Sequence, residues 1–155
     1  MHRLLTDLTA EHFTSIYGAL PDDMSRAFDP AIAKILNARL PKIRKTPVAM
    51  RAKALRAFLM RDRDDDVAGD ILRAYFLGPK LELVTDFLDG TGVKHEKGEV
   101  EEDSEPDGGR VPSTITSMLE DHDRADIALY LQIASQQWPD IEALGHAAEE
   151  LSAPA

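Results

Sequence analysis

Apolar residues along this chain are spaced for helices from one end to the other. They recur at i, i+4 and i+7 in one segment after another, and no stretch alternates apolar and polar residues with an enrichment of β-branched side chains. The strongest instance is the set Ile127, Leu131, Ala134 and Trp138. The pattern predicts an all-α protein.

Capping residues and prolines mark the predicted helix boundaries. Thr9 is placed as the N-cap of a helix that ends near Leu20. The pair Asp29–Pro30 predicts the start of a second helix, which runs to Leu40 and stops at Pro41. Each boundary rests on residues that are close together in the sequence.

The later boundaries follow the same logic. The three aspartates of residues 64–66 end one helix and cap the next, because carboxylates interact favourably with the free amides at a helix start. Gly90 predicts the end of a further helix, and Asp123 caps a long one that Pro139 breaks. Val48 begins the apolar stripe of the helix after Pro47. The stripes together predict these core residues: Leu55, Leu59, Ile71, Phe87, Ile127, Leu131 and Ala134.

A length of 155 residues suits one domain. We expect about seven or eight helices in successive antiparallel hairpins, as an irregular bundle or a short solenoid-like stack. A faint similarity between residues 70–84 and 126–144 leaves a duplicated hairpin open. Residues 90–112 are rich in glycine and carboxylates and have no amphipathic face, so we expect a mobile acidic loop, of which residues 93–110 contribute no core residue.

Composition excludes several chemistries. The chain has no cysteine, which rules out thiol nucleophiles, disulfides and cysteine-ligated metals. It has no glycine-rich nucleotide or phosphate loop, so we expect no cofactor. Asp7 and Glu11 interrupt any secretory signal, and no apolar run is long enough for a membrane span. We therefore expect a cytoplasmic protein that does not enter a membrane.

The net charge of −10 is distributed unevenly. Residues 31–63 carry ten basic side chains and one acidic one, whereas residues 64–155 carry six basic and 22 acidic ones. We call residues 34–63 the basic segment. Its candidate anion-binding or interaction surface consists of Lys42, Arg44, Lys45, Arg51, Lys53 and Arg56.

Two interpretations of the basic segment follow. The helix start after Pro47 would suit a phosphate. The negative total charge and the lack of interleaved aromatic residues argue against nucleic acid, and we expect these cations to meet acidic surface of the same chain or of a protein partner.

A second candidate site lies around His122. The carboxylates around it are Glu120, Asp121, Asp123 and Asp126. One of them, with Asp123 and Asp126 as the candidates, would orient this imidazole as a general base, or side chains from the two adjoining helices would converge on a cation. Ordinary helix capping is the alternative, and it already explains Asp123. Segments starting at Asp62 and Asp103 resemble calcium loops without completing the pattern.

Charge segregation on a helical scaffold, without a chemical motif, predicts a non-enzymatic protein-interaction or adaptor module. The alternative is a helical enzyme or metal-binding protein centred on His122, and the third is a phosphate or nucleic-acid binder that uses the basic segment. A concave apolar groove would favour the first of these. A polar pocket that contains His122 together with His95 or His146 would favour the enzyme or metal-binding protein. An uncompensated basic surface would favour the phosphate or nucleic-acid binder.

Overall fold

The computed structural model describes residues 1–154, and it confirms the all-α prediction. The helices are α1 (His2–Thr6), α2 (Ala10–Ala19), α3 (Asp22–Ser25), α4 (Asp29–Leu36), α5 (Leu40–Ile43), α6 (Val48–Asp62), α7 (Asp65–Phe76), α8 (Leu81–Thr91), α9 (Val111–Asp121), α10 (Arg124–Gln137) and α11 (Glu142–Ser152). Strands β1 (His95–Glu96) and β2 (Glu99–Val100) form a small antiparallel hairpin. Across residues 1–154, none of the helices combines the length and the apolar character that a membrane crossing requires.

The chain divides into two compact units, which we call the first unit (Met1–Pro79) and the second unit (Lys80 onward). In the first unit, α6 packs against α1, α2 and α4, and α7 packs against α1 and α2. In the second unit, α8 packs against α9, and α10 packs against α9 and α11. All seven predicted core residues are 1% exposed or less, three in the first unit and four in the second.

The capping predictions are confirmed at Thr9, Asp64 and Asp123, but the predicted cap at Asp29 is wrong, because Asp29 is the first residue of α4 and its carboxylate binds Arg44. Side-chain oxygens of Thr9, Asp64 and Asp123 accept hydrogen bonds from backbone N–H groups in the first turn of the helix that follows each of them, at 3.1, 3.0 and 2.8 Å. Each cap satisfies an amide that has no partner within its own helix.

Two predicted helix ends are wrong. α4 stops at Asn37, which adopts the left-handed conformation with φ of 49°, while Pro41 lies in the first turn of α5, where its missing N–H is not needed. α8 ends at Gly92, with φ of 80°. Gly90 instead lies inside α8, where a Cβ atom would sit 2.5 Å from the side-chain methyl group of Thr114. A glycine is needed at this position because α8 packs closely against α9 there, and not because the helix ends.

The predicted position of Val48 on a buried stripe is also wrong. Its side chain is 43% exposed. It lies over Gly18, 3.7 Å from where that residue's Cβ would be, so no side chain on α2 covers it there. Arg51, one turn further along α6, is buried instead.

The segment predicted as an acidic loop contains the β1–β2 hairpin and is attached to α8. The backbone N–H of Asp107 donates to the carbonyl oxygen of Thr91 at 2.9 Å, and that of Lys94 donates to Oγ of Ser104 at 2.7 Å. Val93 is only 4% exposed. The expectation that this segment contributes nothing to the core is therefore wrong at Val93, because the chain folds back over the end of α8.

Candidate functional site

An apolar groove of about 510 Å³ lies between α9 and α11 of the second unit. From α9 it is lined by Val111, Pro112, Ile115, Thr116 and Leu119, and from α11 by Ala143, His146, Ala147, Glu150 and Leu151, with Arg124 of α10 at its edge. Both sets have the i, i+3 and i+4 spacing of one helical face. The volume lies in the range of ordinary ligand pockets.

The groove exists because its two walls differ in side-chain size. Val111 and Ile115 are buried in the floor, whereas Leu119, one turn further along the same face, is 39% exposed. Opposite them, Ala143 and Ala147 present methyl groups one turn apart, too small to fill the space. From Val111 to Leu119 the wall is about 12 Å long at 1.5 Å per residue.

The surroundings of the groove are acidic. Helices α9 and α11 contain five carboxylates, Glu120, Asp121, Glu142, Glu149 and Glu150, and no lysine or arginine. The second unit as a whole carries 18 acidic and five basic side chains.

Arg124, the cation at the groove edge, is bound within the unit. Its guanidinium donates to the backbone carbonyls of Leu151 and Glu150 at 3.3 and 3.2 Å. These carbonyls belong to the last turn of α11, where free acceptors and the negative end of the helix dipole attract a cation. Arg124 keeps its charge and is one cation, held at the end of α11, against the five carboxylates of the two helices.

The predicted catalytic candidates are not brought together. Nε2 of His122 lies 2.7 Å from Oδ2 of Asp86 on α8, a residue that the sequence did not suggest. Asp123 caps α10, and buried Asp126 pairs with Lys80 at 3.2 Å. Within residues 1–154, no three histidine, aspartate or glutamate side chains converge to hold a metal ion.

A polar cleft of about 350 Å³ lies beside Asp86, between α8 and α9. Its lining residues are Asp86, Gly90, Ser113, Thr114, Ser117, Met118 and Asp121. A carboxylate that contacts an imidazole is an arrangement found in general bases. Asp86 lines this cleft and His122 does not, so the pair reaches the hydroxyl groups of the cleft only through its carboxylate, which is not one of those predicted.

His95 and His146 lie away from His122. Nδ1 of His95 accepts a hydrogen bond from the backbone N–H of Gly98 at 3.2 Å, which leaves the ring proton on Nε2, 2.7 Å from Oδ1 of Asp89. This pair attaches the hairpin to α8. His146 lines the apolar groove. Within residues 1–154, the hydrogen-bond partners of His122 and His95 are different aspartates, Asp86 and Asp89.

Arg44 of the basic segment is part of a buried network. Its guanidinium binds both carboxylate oxygens of Asp29, with the Nε–Oδ2 contact at 2.8 Å, and donates to Oγ of Ser25 at 3.2 Å. The hydrogen bond to Asp29 raises the pKa of Arg44, although burial opposes it. This arginine is therefore held by Asp29 and does not face a phosphate at the start of α6.

The guanidinium groups of Arg51 and Arg56 also form hydrogen bonds within the first unit. Nη1 of Arg51 donates to the Tyr17 hydroxyl at a long 3.4 Å, and the guanidinium carbon lies 5.8 Å from the centre of that ring. Nη2 of Arg56 donates to the carbonyl oxygens of Thr6 and Leu8. In the part of the chain that the structure describes, Nε of each arginine is buried with no hydrogen-bond partner.

The remaining three candidates of the basic segment, Lys42, Lys45 and Lys53, are exposed. Elsewhere in the segment, Lys34 and Arg61 both pair with Asp62, at 3.7 and 2.7 Å. The carboxylates that pair with the segment therefore include Asp29 and Asp62, which belong to the same half of the chain.

No protein-family model, curated protein or solved structure matches this chain. The site is therefore defined by its own geometry. The spacing of Val111, Ile115 and Leu119 on α9, and of Ala143 and Ala147 on α11, is visible in the sequence. That spacing also fits an ordinary core, and only the arrangement of the two helices turns it into an open groove.

Proposed function

We propose that this chain is a non-enzymatic protein-interaction module and that it binds a segment of its partner in the groove between α9 and α11. The observation that carries the proposal is the open apolar floor, with Leu119 exposed at one end and two alanines opposite. Contiguous exposed apolar surface with a polar rim is typical of protein-binding sites. Burial of that surface by a partner would supply the driving force.

The test begins with selection from a displayed library of random peptides on the full chain. The selected peptides are then measured against two matched variants of α9. Thr116→Arg places a long cation inside the groove, and Ser117→Arg places the same cation on the neighbouring exposed residue, which faces the polar cleft.

We expect Thr116→Arg to weaken binding at least about tenfold, equivalent to 1.4 kcal/mol, and Ser117→Arg to change it less than about twofold. Circular dichroism of both variants shows whether the fold is intact. Failure to select any peptide, or peptides that bind both variants equally well, would contradict the proposal.

An enzyme centred on His122 is the second candidate, because the Asp86–His122 pair adjoins a polar cleft. Its test is a panel of ester, amide and phosphoester substrates with the full chain and its His122→Ala variant. A turnover that His122→Ala removes, with the fold intact, would favour the enzyme over the interaction module.

A further inference from the structure

We infer that the occupant of the groove is a cationic amphipathic helix of the protein partner. This inference rests on the proposed function, since it assigns a chemical class to the segment that binds there. Two separate observations carry it, the helical walls of the groove and the distribution of charge around it.

The walls favour a helical occupant. The backbone groups of α9 and α11 are hydrogen-bonded within their own helices, so along their length the groove offers side chains and not an open backbone edge. An extended peptide lying on this apolar floor would bury unpaired N–H and C=O groups, whereas a helix satisfies its own.

The dimensions of the groove agree with a helix. Apolar anchors at positions i, i+4 and i+7 of a guest helix span about 10.5 Å, close to the length of about 12 Å between Val111 and Leu119. The guest would therefore pack along α9 and α11 as a third helix, with two turns of its apolar face on the floor.

The charges favour a cationic occupant. Helices α9 and α11 carry five carboxylates and no lysine or arginine. Glu150 lines the groove itself, Asp121 lines the polar cleft instead, and Arg124 is the one lysine or arginine among the groove residues. Positive side chains along the edges of the guest helix would lie near Glu150 and in the negative potential of a unit with 18 acidic and five basic side chains. Such complementarity accelerates association and excludes acidic partners more than it adds affinity.

A second copy of this chain is the principal competing occupant. Its α6 exposes Met50, Lys53 and Met60, with the two methionines more than half exposed. That face has the cationic and apolar character that the groove requires. Self-association is therefore measured in the same experiment.

The experiment uses two synthetic peptides of about 16 residues, with leucines at the same i, i+4, i+7 and i+11 positions and either lysine or glutamate at most other positions. Binding to the full chain is measured by fluorescence anisotropy at low and at physiological salt. We expect the lysine peptide to bind at least about tenfold more tightly at low salt, and this advantage to shrink as salt screens the charges.

Two charge-reversal variants test whether the preference for the lysine peptide depends on a carboxylate in the groove. Glu150→Lys reverses a carboxylate that lines the groove, and Glu82→Lys makes the same change at an exposed site on α8 that does not line it. We expect Glu150→Lys to weaken the lysine peptide several-fold more than Glu82→Lys. Equal weakening would mean that only the total charge of the unit matters, and it would overturn the inference.

The remaining outcomes separate this inference from the proposed function. If both peptides bind equally and Thr116→Arg weakens both, the groove binds helices without charge selectivity, so the inference fails while the proposed function stands. If Thr116→Arg weakens neither peptide, both fail. If sedimentation shows self-association that Thr116→Arg abolishes, the occupant is a second copy and the inference is overturned.

Discussion

Arg51 is a buried cation whose removal should cost far less stability than breaking a buried ion pair. It is 9% exposed, the only hydrogen bond of its guanidinium within the described residues is the 3.4 Å contact to Tyr17, and its Nε is unsatisfied. Replacement by methionine keeps an unbranched chain of similar length and removes the charge. The change therefore tests whether this guanidinium is a cost to the fold.

The expected magnitude follows from three terms. A buried polar group without a partner costs about 1–3 kcal/mol, and Arg51→Met removes that cost. Against this stand the loss of the cation–π contact with Tyr17, about 0.5–2 kcal/mol, and of one long hydrogen bond, about 0.5 kcal/mol. We expect the free energy of unfolding of Arg51→Met to lie between about 1.5 kcal/mol below and about 2 kcal/mol above that of the unmodified chain.

Arg44→Met is the matched control. The same substitution there removes the partner of Asp29, which is 7% exposed, and leaves a buried carboxylate without its cation. Breaking such a pair from one side costs about 3–5 kcal/mol. The two positions are seven residues apart, and we expect Arg44→Met to lose more stability than Arg51→Met.

Urea unfolding followed by far-UV circular dichroism gives the comparison. The midpoint of Arg44→Met should fall well below that of the unmodified chain, whereas the midpoint of Arg51→Met should lie close to it or exceed it. A loss for Arg51→Met as large as that for Arg44→Met would refute the reasoning, because the guanidinium would then have a stabilising partner.

Three further predictions concern the second unit's core, its response to alkali and the exposed lysines. Leu131→Ala should lower the free energy of unfolding in urea by about 2–5 kcal/mol because this leucine is fully buried, and a loss below about 0.5 kcal/mol would contradict the placement. Burial raises the pKa of Tyr130, so its neutral form stabilises the fold below pH about 10 and this stability is lost as pH rises through the folded pKa. Tyr130→Phe, which cannot ionise, should lose less stability than the unmodified chain between neutral pH and pH about 11, and equal losses in urea would contradict this. We expect little binding of duplex DNA in a gel-shift assay at physiological salt; a steeply salt-dependent complex that the triple change of Lys42, Lys45 and Lys53 to glutamate abolishes would instead support the nucleic-acid alternative.

Helices and their caps could be predicted because they depend on neighbouring residues. The side chains of Thr9, Asp64 and Asp123 reach amides two or three positions along the chain, so residue type and spacing suffice. The buried stripes are similarly local, and residues such as Leu55 and Ile127 lie where the helical period places them. The prediction was wrong at Val48, which is exposed because Gly18 on α2 has no side chain to cover it.

The partners of the charged residues depend on contacts between distant positions. Arg44 meets Asp29 15 residues away, and His122 meets Asp86 36 residues away, so residue type alone marked both as candidates without showing what they bind. The groove also depends on contacts between distant positions. The spacing of its apolar residues can be read from the sequences of α9 and α11, but the sequence does not show how closely the two helices approach. The small side chains of Ala143 and Ala147 leave the surface between them open.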